Sequence, residues 1–84
     1  MSYYVYMLLT KRAGKFLSYV GYTSNLKNRI KMHNNSKGAK FTKGNIWKII
    51  YKKKFLSKID ALRYEYSLKN NKKLRLKIKA KAIH

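Results

Sequence analysis

Three short runs rich in β-branched and aromatic residues, followed by stretches of helical spacing, predict an α+β fold. The expected architecture is a small, mostly antiparallel three-stranded sheet flanked by three helices, in the order β-β-α-β-α-α. Length and composition agree with this. The chain has 84 residues, 45% apolar and 14% aromatic, which suffices for one core and leaves no room for a second domain. Proline is absent and glycine is scarce, which suits compact regular elements rather than a solvating tail. Residues 1–84 therefore read as one folded domain.

Tyr3 to Leu9 has no helix-capping residue before it and reads as a buried strand. Thr10 to Lys15 is a polar loop with a glycine, long enough for a hairpin. Phe16 to Tyr22 then returns as a second strand antiparallel to the first. Gly21 would weaken a strand interior, so it marks a bulge or a close backbone approach. Thr23, Ser24 and Asn25 are all N-cap residues, and Leu26 and Ile30 give helical spacing to about Asn34. The expected buried stripe is Leu26, Ile30 and a partly buried His33. Arg29 lies four residues before His33 on the same face.

Asn35 to Asn45 is a glycine-containing basic loop, long for so small a domain. Phe41 sits among Lys37, Lys40 and Lys43. An aromatic among cations suits contact with a nucleic-acid backbone and stacking on its bases. The competing reading has Phe41 tucking the loop onto the core. Ile46 to Phe55 is the third strand, with Lys52 to Lys54 carried into solvent. A helix over Ser57 to Lys69 stops near Asn70 and Asn71. The last helix, Lys72 to Ala82, is strongly basic, with Leu74 and Ile78 facing inward.

Charge narrows the function. There are 22 Lys+Arg against 2 Asp+Glu, a formal net charge of +20. Self-repulsion on that scale destabilises a compact chain, and a polyanion relieves it. An AT-rich genome would explain Lys over Arg but not the missing acids. Nucleic acid is the expected partner. A membrane is not, since no long basic amphipathic helix with a broad apolar face stands out. There is no cysteine, hence no disulfide framework and no Cys-based zinc site. His33 and His84 cannot form a structural metal site by themselves. The first apolar run lacks a basic segment before it and is too short to span a bilayer. The expected location is cytoplasmic, in contact with the nucleoid.

The two acids both fall in SKIDALRYEYSLK. Ser57 and Asp60 resemble a capping box, and an acid in the first turn suits the helix dipole. Glu65 lies in mid-helix. Ile59, Leu62 and Tyr66 recur at i, i+3, i+7 and predict the buried stripe, with Glu65 at its margin. Lys69 follows at i+4 in the order that favours an ion pair. Spacing alone leaves an ion pair and a functional carboxylate both open.

Taken in order, these residues resemble the GIY-YIG endonuclease superfamily. Tyr4-Val5-Tyr6 stands at the first signature and Tyr19-Val20-Gly21 at the second. TSNLKNRIKMHN is similar to the family's capped helix, with Arg29 followed four residues on by His33. The KGAKFTKG loop, the tryptophan strand and ALRYE with Glu65 complete the match over nearly the whole chain. It is most similar to the small stand-alone bacterial type and to the nuclease domain of the structure-specific subunit that resolves branched DNA. Tyr4 replaces the glycine of the first triplet, and Val replaces Ile in both. The family's late asparagine has no secure counterpart, with Asn70, Asn71 and Lys69 as the candidates.

The resemblance implies a metal-dependent DNA endonuclease that is structure-specific in repair or recombination. Glu65 would be the protein ligand of one divalent ion, Mg²⁺ or Mn²⁺. With Asp60 used by the cap, a two-metal site lacks carboxylates. Arg29 would stabilise the phosphate. Tyr6 and Tyr19 would line the site, and one of them, Tyr6 ahead of Tyr19, would orient or deprotonate the water, with nearby cations lowering its pKa from about 10. His33 would accept the proton or fix the tyrosine. Gly21 would let the second strand approach the helix and the phosphate, while Lys37, Lys40, Phe41, Lys43 and Lys69 contact the nucleic acid. The implied substrate is branched, flapped or single-stranded DNA rather than RNA, with specificity from a protein partner or a homodimer. The alternative is a non-catalytic nucleic-acid-binding module, DNA or RNA, with a basic surface.

Overall fold

The computed structural model describes residues 1–37, 40–42 and 44–83. Its elements are β1 (Tyr3–Arg12), β2 (Lys15–Thr23), α1 (Leu26–Asn34), a 3₁₀ turn (Lys40–Thr42), β3 (Lys48–Phe55), α2 (Lys58–Lys69) and α3 (Lys72–Ile83). The strands form one antiparallel sheet in the order β2-β1-β3. This is the predicted α+β architecture in the predicted order.

The central strand explains its own sequence. Val5 to Thr10 are all buried, because β1 is covered on both faces. Such a strand has no need of apolar–polar alternation. Val5 and Met7 pack with Val20, Ala61 and Leu68, joined by Tyr51, Tyr64, Leu74 and Ile78. Tyr6 and Leu8 point the other way, onto Trp47, Tyr19, Leu26, Ile30 and Ile49. The sheet is thus sandwiched between α2 and α3 on one side and α1 on the other.

The hairpin is tighter than predicted. Thr10 to Lys15 is not a loop, since pairing continues out to Arg12 opposite Lys15. Only Ala13 and Gly14 turn the chain, with φ of 51° and 78°. Two residues at positive φ make a turn whose twist matches that of the flanking strands. In β3, Tyr51 faces Met7 and Ile49 faces Leu8, so Ile50 is the extra residue of a bulge. That strand begins at Lys48 rather than Ile46. Asn34 holds the preceding backbone instead: its Oδ1 accepts from the Trp47 N–H at 2.6 Å and its Nδ2 donates to the Trp47 carbonyl at 3.2 Å.

The face of α2 departs from expectation. Ile59, Leu62 and Tyr66 are 60%, 38% and 72% exposed. The fully buried residues are Ala61 and Leu68, with Tyr64 and Glu65 half-buried beside them. Ala61, Tyr64 and Leu68 have the same i, i+3, i+7 spacing as the exposed triplet, so periodicity alone could not choose between them. Two contacts decide it. The small Ala61 lets the helix approach the sheet closely, and the Tyr64 hydroxyl lies 2.6 Å from that of Tyr51 on β3. Glu65 therefore sits on the buried side of α2, between Ala61 and Leu68.

The caps are simple. Asn25 alone caps α1, accepting from the Asn28 N–H at 3.1 Å. Ser57 caps α2 through the Asp60 N–H at 3.4 Å. The reciprocal bond of a capping box is not formed among the described residues, and Asp60 remains exposed in the first turn. Asn70 donates to the Tyr66 carbonyl at 2.8 Å, and Asn71 accepts from the Leu74 N–H at 3.1 Å. Both asparagines are therefore occupied at helix ends. Leu74 and Ile78 of α3 face the core, as predicted. No helix among the described residues is long and apolar enough to cross a membrane.

Candidate active site

Tyr6 is the centre of the site. It is fully buried on the α1 face of β1, directly opposite Gly21 in the strand register. A Cβ built on Gly21 would stand 2.5 Å from the Tyr6 hydroxyl oxygen and 2.7 Å from the carbon bearing it. The glycine therefore marks a close approach, and the β1–β2 pairing carries no bulge. What approaches Gly21 is the Tyr6 ring.

His33 comes down from α1, also fully buried. Its Nε2 lies 2.8 Å from the Tyr6 hydroxyl and its Nδ1 lies 2.8 Å from Thr42 Oγ1. Trp47 donates its indole N–H to the Thr42 carbonyl at 2.8 Å. A continuous chain of hydrogen bonds thus links β1, α1, the 3₁₀ turn and the approach to β3. Sequence reading missed Thr42 and Asn34. Neither carries a local signal, since threonine and asparagine are common in loops and at helix ends.

Tyr19 closes the aromatic cluster from β2. Its ring meets Tyr6 edge-on at 6.4 Å and 64°, and lies 5.1 Å from the His33 ring. Phe41 stacks on Tyr19 at 6.3 Å and 20°, and touches Trp47 at 6.0 Å. One face of Phe41 fastens the loop to the core, yet the residue is 55% exposed. The tucking of the loop onto the core is thus observed, and the other face of the ring is open to solvent. Lys37 and Lys40 are exposed nearby in sequence. Lys43, with Gly38, Ala39 and His84, lies outside the described residues.

Arg29 sits one turn before His33 and is half-buried. Its Nε is buried without a hydrogen-bond partner among the described residues. A buried donor left open is costly, and a phosphate oxygen is the acceptor that a guanidinium fits best. Glu65 approaches from α2 with a side chain 16% exposed, and its Oε2 lies 3.4 Å from Lys69 Nζ. Lys69, not Asn70 or Asn71, is thus the late residue placed beside the glutamate.

Burial sets the electrostatics. The Tyr6 phenol is pushed up to about 12, chiefly by desolvation. Arg29 opposes this by hydrogen bonding and by charge, while Tyr19 and Glu65 add to the rise. The expectation that cations would lower this pKa is reversed, because loss of water outweighs the guanidinium. His33 is held below its ordinary value by burial and then by the charge of Arg29. Both groups are therefore neutral at pH 7. The tautomer consistent with this has the phenol donating to Nε2 and Nδ1–H donating to Thr42 Oγ1.

A metal can be tested against these residues. No group of three or more His, Cys, Asp or Glu that could hold an ion occurs among the described residues. A protein-enclosed ion does not fit. A hard divalent cation that keeps most of its waters and takes one carboxylate does fit, at Glu65.

The comparisons with known proteins identify the family. The profile of the GIY-YIG catalytic domain matches residues 2–78. A UPF0213 protein of Oceanobacillus iheyensis is 43% identical over 68 residues, covering 80% of this chain and 76% of the relative. One from Clostridium perfringens is 43% identical, covering 95% of this chain and 86% of the relative. The solution structure of a UPF0213 protein from Bacillus halodurans is 39% identical with a TM-score of 0.49, covering 90% of this chain and 82% of that one. The chain belongs to the GIY-YIG family, a nuclease family whose substrate is nucleic acid.

Proposed function

We propose that this protein is a DNA endonuclease that hydrolyses phosphodiester bonds with one divalent ion, Mg²⁺ or Mn²⁺, held by Glu65. The observation that carries this reading is the convergence on Tyr6. Arg29, Tyr19 and Glu65, from three different elements, all lie close enough to shift its ionisation, and His33 is bonded to it.

The roles follow from exposure and bonding. Arg29 offers the exposed part of its guanidinium to a phosphate oxygen and stabilises the charge that develops there. Tyr19 is half-buried, and no hydrogen bond occupies its hydroxyl among the described residues. In this reading Tyr19 acts as a phenolate, its own proton given up to solvent, and so orients the attacking water and accepts its proton. Tyr6 is fully buried and already bonded to His33, so the water-facing role falls to Tyr19 rather than Tyr6. Tyr6, His33 and Thr42 form a neutral support that holds Tyr19 and the backbone of α1 in place. When bound, the ion would neutralise the phosphate and assist the leaving oxygen. The exposed face of Phe41 offers a stacking surface to an unpaired base. The abundant lysines would supply affinity through the backbone, which makes binding fall steeply with salt.

One experiment tests this reading. Purified protein is incubated with branched, flapped and single-stranded DNA and with RNA, in Mg²⁺ or EDTA, beside Glu65→Ala. Cleavage that needs Mg²⁺ and disappears in Glu65→Ala, with DNA binding retained, is the expected result. Binding with no EDTA-sensitive cleavage of any substrate would leave a non-catalytic module.

A further inference from the structure

We infer that a cleft beside Arg29 is a nucleotide subsite, taking the nucleotide next to the phosphate under attack. It is an open cleft of about 310 Å³ lined by Tyr3, Tyr22, Thr23, Ser24, Arg29 and Lys58. These residues come from the start of β1, the end of β2, the approach to α1, α1 itself and the first residue of α2. Arg29 belongs to both places. Its charge and hydrogen bonding reach Tyr6, and its side chain also forms a wall of the cleft. A ligand that binds the catalytic arginine thus has the cleft directly beside it.

The lining is suited to a nucleotide. Tyr3 and Tyr22 are half-buried, packed against the core. Their outer edges border the cleft, whose exposed lining is more polar than apolar. Lys58 and Arg29 give it two cations. Neither is paired, since the ion pair found among the described residues is that of Lys69 with Glu65. Lys58 also opens α2, where the helix dipole disfavours a cation. Its charge is thus not used by its own helix. The Thr23 hydroxyl is occupied by the Asn25 backbone at 3.1 Å and 3.3 Å, so Ser24 is the hydroxyl left to reach a phosphate. Two cations outside any ion pair and a hydroxyl, directly beside the arginine that takes the attacked phosphate, suit the next phosphate of a nucleotide chain.

This subsite rests on the nuclease reading only in placing the attacked phosphate at Arg29. Its test therefore reads binding and not cleavage. Isotope-labelled protein in EDTA is titrated by NMR with thymidine 3′,5′-bisphosphate and, separately, with thymidine 5′-monophosphate. The second phosphate gains charge-assisted hydrogen bonds, so the bisphosphate should bind about tenfold tighter. Shifts should appear at Tyr22, Thr23, Ser24 and Lys58 together with Tyr19. Lys58→Gln should remove the advantage of the bisphosphate, and Lys58→Arg should retain it. Lys15→Gln, the same charge change at the far end of the hairpin, should leave it within about twofold. Equal affinity for the two ligands would overturn the proposal, as would an equal loss in Lys15→Gln. A chain that binds the bisphosphate in this way but cuts no DNA would keep the subsite and lose the nuclease reading. A chain that cuts DNA but shows none of these shifts would do the reverse.

Discussion

The Tyr6 hydroxyl lies 2.8 Å from His33 Nε2, in a fully buried contact between the central strand and the first helix. The bond occupies the phenol that the signature triplet would nominate for catalysis. It follows that the two tyrosines differ in consequence. Tyr19→Phe should reduce cleavage by about 10² to 10⁴, the range of a lost acid–base group. Tyr6→Phe should reduce it less, while costing roughly 1–3 kcal/mol of stability because His33 Nε2 is left unsatisfied. Single-turnover cleavage and urea unfolding of both variants would decide. A larger cleavage defect in Tyr6→Phe would return the water to Tyr6.

Gly21 provides a second test, because its missing side chain is the space the Tyr6 ring uses. A Cβ 2.5 Å from the hydroxyl oxygen forces the ring or the strand to move. Overpacking of this kind costs about 1–3 kcal/mol. Gly21→Ala should lower the unfolding midpoint accordingly and weaken cleavage through the displaced cluster. An unchanged midpoint would show that the ring moves freely.

Stability should depend on pH at both ends. Tyr6 and Tyr51 are raised to about 12, by burial first in each case. A folded pKa above the unfolded value of about 10 stabilises fully below pH 10, and that contribution is lost as pH rises toward about 12. For Tyr6 the loss is roughly 3 kcal/mol at most. His33 shifts the other way, so its contribution is fully present above about 6.5 and is lost as pH falls below that value through the lowered folded pKa. Urea midpoints from pH 5 to pH 11 should trace both limbs. Tyr6→Phe should flatten the alkaline limb in part, leaving the share of Tyr51.

On the proposed function, Lys69 would compete with the ion for Glu65. Their separation is 3.4 Å, and Lys69 is half exposed. A partly exposed pair of this kind is worth about 0.2–1 kcal/mol. Lys69→Met should therefore lower the half-saturating Mg²⁺ in cleavage by about twofold to fivefold. Calorimetry of the protein without DNA should still show weak Mg²⁺ binding, since one carboxylate stands in a field of +20. A raised Mg²⁺ requirement in the variant would make Lys69 an aid to the ion and not a competitor.

Much of this was legible in advance. The β-branched runs and the cap residues placed every strand and helix, with errors at the ends. The hairpin was longer because exposed polar residues can continue a ladder as well as apolar ones. The third strand was shorter because the Asn34 side chain replaces the ladder around Trp47. Tyr6, Tyr19, Arg29, His33 and Glu65 were each singled out by the order and spacing of the family's signatures. Thr42 was not, because its part depends on a histidine nine residues earlier in the chain folding back beside it.

The sequence by itself determined the spacing of apolar residues, the excess of positive charge and the order of the signature residues. These are properties of the chain that need no partner to exist. The tertiary structure decided which of two equally spaced triplets on α2 is buried, and so brought Glu65 to the inner face. It also decided the ionisation of Tyr6, where desolvation overrides the cation beside it. Periodicity gives a helix its pitch but not its phase, and a pKa depends on the water removed around a group. Both are settled only when one element packs against another.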